Sequence, residues 1–295
     1  MLYQKRRIFL VGALVLSAGL SEAQVHRTFV SVNGNDGNDC LTPASACRTI
    51  NAAITKVDAE GEVIIASTGS YAGAAVTKAV RINAPSGIVA FAALPITVNA
   101  PGANVAIRGF TIKAVTPGSG TGISVSDVGT LLLEQMVIDG WDTGLGLASA
   151  AKVSISDSTF RNNTGSGGIQ LTAAANLSVV RSQFENNNRG ILHDTGSAGA
   201  IASVARSSFT GNSTSGVSLF VAGVLALDRC LIANNTSFGI FANTAGATVR
   251  LSGSSITGNA TGVNVGAGVV ESFGTSGIRG NTANLSGALT AVALQ

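Results

Sequence analysis

Six segments of this 295-residue chain, at 157–163, 181–187, 206–212, 229–235, 253–259 and 274–281, align to one template, and that self-similarity constrains the fold more than any other feature. The anchor column is Ile112, Ile138, Phe160, Phe184, Phe209, Ile232, Ile256 and Ile278, at intervals of 22 to 26 residues. Two positions before the anchor, the later repeats carry Ser158, Ser182, Ser207, Cys230, Ser254 and Ser276. Three positions after it they carry Asn163, Asn187, Asn212, Asn235, Asn259 and Asn281. An apolar pair precedes the anchor by seven and five positions, as in Val153/Ile155 and Leu225/Leu227. A Gly-aliphatic pair follows, as in Gly168-Ile169 and Gly190-Ile191.

The parity of these columns gives geometry, because strand side chains alternate faces with period two. Val153 and Ile155 share a face, but Ser158 and Phe160 break parity with them, which requires a bend near Asp157. A second break falls between Phe160 and Ile169. Each repeat is therefore three short strands, and one repeat cannot bury its own apolar side. About ten of them, stacked at the usual strand spacing of ~4.8 Å, make a rod roughly 50 Å long with a continuous core. The Ser and Asn columns then stack on themselves as ladders that satisfy turn amides.

The repeat, apolar-x-apolar-x-x-[Asn/Ser]-x-[Ile/Phe]-x-x-Asn followed by Gly-Ile, resembles the right-handed parallel β-helix of the pectate lyase superfamily over about residues 100 to 282. The resemblance implies an all-β, right-handed parallel β-helix solenoid of about ten coils. Variable intervals of 22 to 26 residues argue against a left-handed hexapeptide β-helix. The region from Thr28 to Thr77 is similar to the N-terminal part of secreted proteins of this type, with a strand at Thr28 to Val32 and an Ala-rich helix opening at Cys47-Arg48-Thr49-Ile50. That helix is expected to cap the open end of the rod. The expected organisation is a signal peptide at 1–23, a strand, disulfide loop and capping helix at 24–60, and the β-helix at 61–295.

Export is read from Lys5-Arg6-Arg7, the apolar run Ile8 to Leu20, and Ser21-Glu22-Ala23, which places small residues where a signal peptidase cuts. The run is too short to span a membrane, and no later segment reaches spanning length, so no membrane insertion is expected after cleavage. The chain is read as secreted or periplasmic. In such an oxidising compartment Cys40 and Cys47, seven apart in a turn-rich loop, are expected to form a disulfide. Cys230 belongs to the buried Ser column. A net charge of +3 without a basic run in the mature chain is too small an excess to argue for nucleic acid, and no such partner is expected. With two histidines and no CxxC spacing, neither a metal site nor a cofactor is predicted.

Ligands are expected only on outward columns, since the interior is filled. The position after the anchor reads Lys113, Asp139, Arg161, Glu185 and Thr210, either a ladder of surface ion pairs or a site. Asp139 and Glu185, two coils or roughly 9.6 Å apart, have about the separation of the acid and base in inverting glycoside hydrolysis. Trp141, between Asp139 and Asp142, reads either as a sugar-stacking platform or as a ring closing the lower end of the Asn column. The bend position carries Arg181, Arg206 and Arg229 on successive coils, where like charges ~4.8 Å apart repel by roughly 1 kcal/mol per pair in water. Either the guanidiniums are solvated and locally offset by Asp157 and Asp228, or a polyanionic partner such as a uronate or sulfated glycan relieves that repulsion. The favoured reading is an exported, non-catalytic β-helix that binds glycan or a cell-surface partner along one face. The second is a polysaccharide lyase or glycoside hydrolase acting on an acidic polysaccharide. The superfamily's catalytic signatures do not map here residue by residue, and the catalytic residues are left unassigned.

Overall fold

A computed structural model describes residues 25–293, and the expected signal segment lies outside them. The chain winds through ten coils as a parallel β-solenoid with three faces. The second face, which carries the anchor, is a separate ten-stranded sheet. The first and third faces join into one twenty-stranded sheet, because the long strands Ile96–Arg108 and Thr121–Glu134 each run through both.

Register follows the repeat columns. Ile138 pairs with Ile112 and Phe160, Phe184 with Phe160 and Phe209, and Ile256 with Ile232 and Ile278. The apolar pairs stack as Leu131–Val153–Leu177–Ala202–Leu225–Val249 on the first face. The Gly-aliphatic positions stack as Ile123–Leu145–Ile169–Ile191–Val217–Ile240–Val263 on the third. All three sets point into one core. Its centre is a stack of rings: Phe184 is fully buried, with ring centroids 5.1 Å from Phe160 and 4.7 Å from Phe209 and interplanar angles of 8° and 7°.

Both bends are made by single left-handed residues. At the first, Gln135, Asp157, Arg181, Arg206 and Arg229 all have φ between 50° and 54°. At the second, Asn162, Asn186 and Asn234 have φ of 57°, 53° and 56°, and glycine takes the same place at 140, 211, 258 and 280. Asparagine and glycine tolerate this region, whereas an arginine there carries a steric cost of roughly 1 kcal/mol.

The two ladders hold the bends. Each ladder Asn accepts the backbone N–H of its counterpart one coil earlier, from Asn163 N to Asn187 Oδ1 (3.1 Å) through Asn259 N to Asn281 Oδ1 (2.9 Å). Its Nδ2 donates to the anchor carbonyl of the preceding coil, as Asn187 does to Phe160 O (2.9 Å) and Asn212 to Phe184 O (3.3 Å). In the serine ladder, Met136 N, Ser158 N and Ser182 N donate to the hydroxyls of Ser158, Ser182 and Ser207. Between Ser158 and Ser276 Cys230 is the one ladder position without a hydroxyl, and desolvation pushes the pKa of its buried thiol up to about 11.

At the N-terminal end the strand Arg27–Val30 pairs in parallel with Glu62–Ile65, which ties the disulfide loop to the first face. Thr49 caps the helix Ile50–Lys56 by accepting from Ala52 N (3.2 Å), and the helix buries Ile50, Ala53 and Ile54 in the solenoid core. Asp36 fixes the helix entry by accepting from Arg48 N and Thr49 N, both at 2.8 Å. Cys40 and Cys47 are disulfide-bonded with Cα atoms 5.0 Å apart. The Lys56 ammonium closes the loop from the helix side, donating to the carbonyls of Asp36 (2.8 Å) and Asn38.

Candidate functional site

The charged side chains that the sequence singles out form two columns on opposite edges of the second face. Arg181, Arg206 and Arg229 occupy the entry bend, and Lys113, Asp139, Arg161 and Glu185 the exit, in the expected register. A row of outward residues, Gln183, Ser208 and Leu231, separates them. The two columns do not converge on one point.

At the exit edge, strand parity places Asp139 outward, yet it is only 5% exposed. The next coil covers it: Arg161 donates to Oδ2 from Nε and Nη2, both at 3.2 Å, and Asn162 Nδ2 donates to Oδ1 at 2.8 Å. Both carboxylate oxygens are thus engaged inside the protein. Arg161 pairs with Asp139, which is the one ion pair of this column among the described residues, and Glu185 makes none there.

Trp141 lies on the turn that follows the exit edge. It is 5% exposed, and Gly120 of the preceding coil's connection lies against its ring. It occupies the Asn register one coil below Asn163. Its backbone N–H donates to Asn163 Oδ1 (3.0 Å), and its Nε1–H donates to Ile112 O (3.2 Å), the bond that each ladder Asn makes to the preceding anchor carbonyl. The largely buried indole thus stands at the end of the ladder in the place of an Asn. Half-buried Asp142 accepts from the Thr143 hydroxyl (3.0 Å) and packs on Gly165, where a Cβ would overlap its carboxylate.

The entry edge is different. Arg181, Arg206 and Arg229 are all exposed and line a shallow, open groove of about 470 Å³ floored by Ser182, Ser207, Ser208 and Gln183. Arg181 reaches back one coil in a two-pronged pair with Asp157, both bonds 2.7 Å. Hydrogen bonding to Arg181 holds the Asp157 carboxyl below the usual range, and the same bond raises the guanidinium. Arg229 stands 3.7 Å from its neighbour Asp228, which also accepts from Ser252 (2.8 Å). Arg206, at the centre of the groove, has no ion-pair or side-chain hydrogen-bond partner among the described residues. The groove thus holds three cations and two flanking carboxylates, with its free charge in the middle.

Among the described residues no group of three or more His, Cys, Asp or Glu side chains is placed to hold a metal ion. No helix there is long and apolar enough to cross a membrane.

No curated protein matches the sequence. Among solved structures the chain is similar to the crystal structure of pectate lyase Pel9A, with a TM-score of 0.54 and 14% identity, covering 92% of this chain and 78% of that one. At that identity the likeness is one of fold. The family model described as "right handed beta helix region" matches residues 96–283, more than half of the sequence and the stretch over which the ladders run. With the anchor strands of eight coils and both ladders inside that stretch, the chain belongs to the right-handed β-helix family.

Proposed function

We propose that this is an exported β-helix protein that binds an anionic glycan along the entry edge of its second face. The observation that carries the reading is Arg206: an unpaired guanidinium in a groove, flanked one coil away on each side by another arginine, all three held in left-handed backbone. Arginine is a poor choice for that conformation, and glycine serves at the same bend at 109 and 253. Retaining three strained arginines in a row points to a use for their charge. The guanidinium fork suits carboxylate and sulfate oxygens, and a repeating polyanion matches a repeating column. Export is supported by the basic, apolar and small-residue order of residues 5–23 and by the Cys40–Cys47 disulfide.

Binding without turnover fits the exit edge, where Asp139 has both oxygens bonded to Arg161 and Asn162. The test is a panel of neutral, uronate and sulfated polysaccharides scored for retention and for release of reducing or unsaturated ends. Retention of the acidic members without release is expected. Release that is lost in Asp139→Asn or Glu185→Gln would instead establish a lyase or hydrolase.

A further inference from the structure

The third face carries a second cluster that the arginine groove does not involve. Three phenylalanines lie on its outside within two successive coils, in a chain that is only 5% aromatic. Phe238 stacks on Phe241 with centroids 4.6 Å apart, and Phe220 meets Phe241 edge-on at 5.7 Å. From the coil before them, Arg189 extends its guanidinium over Phe220, 5.5 Å from the ring centroid. All four side chains are half-buried. Beneath them Ser215 and Ser218 are fully enclosed and hydrogen-bonded to each other at 2.6 Å.

Arg189 is the unusual member. Its Nε is enclosed and has no hydrogen-bond partner, and the guanidinium makes no ion pair among the described residues. Asp194 acts on it electrostatically, but its carboxylate is engaged by Gln170 Nε2 (2.7 Å) and Thr195 N (2.8 Å). Burial accordingly holds the guanidinium below its usual value, with Asp194 opposing. A partly desolvated cation with no counter-ion, resting on an aromatic wall, is matched by a planar anion that pairs with the exposed Nη edge while its apolar body packs against ring edges.

We infer that Arg189, Phe220, Phe238 and Phe241 form a surface site for a small aromatic carboxylate, separate from the arginine groove. The rings supply apolar edges and few hydrogen-bond partners, which favours an aryl body over a hydroxylated sugar.

The probe is 2-naphthoate, with 2-naphthalenemethanol as its uncharged counterpart, titrated into the protein while the arginine Nε–Hε resonances are followed by NMR. Saturable binding is expected, at least tenfold tighter for the carboxylate, with the Arg189 resonance shifted. Arg189→Met and Phe220→Leu should each weaken it about tenfold, and Arg206→Ala should leave it unchanged. Far-UV circular dichroism and melting temperature establish that both variants are folded, and Phe220→Leu keeps the test open if Arg189→Met is not. Equal affinity for the two probes, no saturable binding, or unaltered binding by both folded variants would overturn the assignment. Loss of binding in Arg206→Ala would merge this site with the groove and overturn its independence.

Discussion

Replacing Asn212 with alanine probes what holds the coils in register. Its Oδ1 accepts from the backbone N–H (3.0 Å) and the Nδ2 (3.2 Å) of Asn187, and its Nδ2 donates to Phe184 O (3.3 Å) and Asn235 Oδ1 (2.8 Å). Truncation removes all four bonds at a fully buried position and leaves the Asn187 N–H with no acceptor that water can replace. An orphaned buried donor costs roughly 1 to 3 kcal/mol and each of the three further lost bonds roughly 0.5 to 1.5, so the total loss is about 2.5 to 7.5 kcal/mol. The same change at Asn281, where the ladder is partly exposed, lets water substitute and should cost about 1 kcal/mol. Stacked repeats can open locally, so the readout is native-state amide exchange, with the Asn187 amide followed individually, alongside urea unfolding. Asn212→Ala should speed exchange at Asn187 and its neighbouring coils far more than at the N-terminal cap. Equal destabilisation at 212 and 281, or an unchanged Asn187 amide, would refute the ladder as a principal constraint on register.

Other expectations follow from the core and the cysteines. Phe184→Ala should destabilise by about 3 to 5 kcal/mol, whereas replacing exposed Gln183 on the same strand should change urea stability little. Equal effects would put the register off by one. His193 is fully enclosed with neither ring nitrogen bonded, and desolvation lowers its pKa from 6.5 to about 4. The folded protein therefore binds fewer protons than the unfolded chain between those values. Stability is full above pH 6.5 and falls by up to about 3 kcal/mol toward pH 4, and His193→Leu should flatten that part of the urea-midpoint profile. Intact-mass analysis after alkylation of native, unreduced protein should show no modification at Cys40 or Cys47, and Cys230 should react only after unfolding.

Much of the fold is legible in the sequence because the repeat reports on itself. An anchor, a serine and an asparagine recurring at fixed offsets can satisfy one another only when stacked, and the observed pairings follow those columns from Ile112 to Ile278. The first two coils escape the pattern, since Tyr71 and Ala92 hold the anchor position without the Asn that marks it later. The burial of Asp139 is illegible for a different reason. Parity sets the direction of a side chain, but Arg161 and Asn162, which cover it, arrive from the next coil. Trp141 fits two readings in sequence, and its Nε1 bond to Ile112 O joins it to a coil that the sequence alone does not set against the indole. The Arg189 cluster leaves no repeat signal, because Phe238, Phe241 and Phe220 lie in three different columns and meet only when successive coils are stacked.

The arginine groove is tested most directly by the salt dependence of affinity for a defined oligo-uronate, measured by calorimetry on the natural chain, Arg206→Ala and Arg250→Ala. Arg250 is a control on the first face, paired with Glu271 at 2.8 Å. Exposed charge pairs are screened over about 8 Å at physiological ionic strength, so affinity should fall steadily as salt rises. Loss of one charge-assisted hydrogen bond, worth about 1.5 kcal/mol or more, should weaken Arg206→Ala at least about tenfold and flatten its salt dependence, while Arg250→Ala matches the natural chain. Salt-independent binding, or an Arg206→Ala protein that binds as tightly as the natural chain, would contradict the groove as the glycan site.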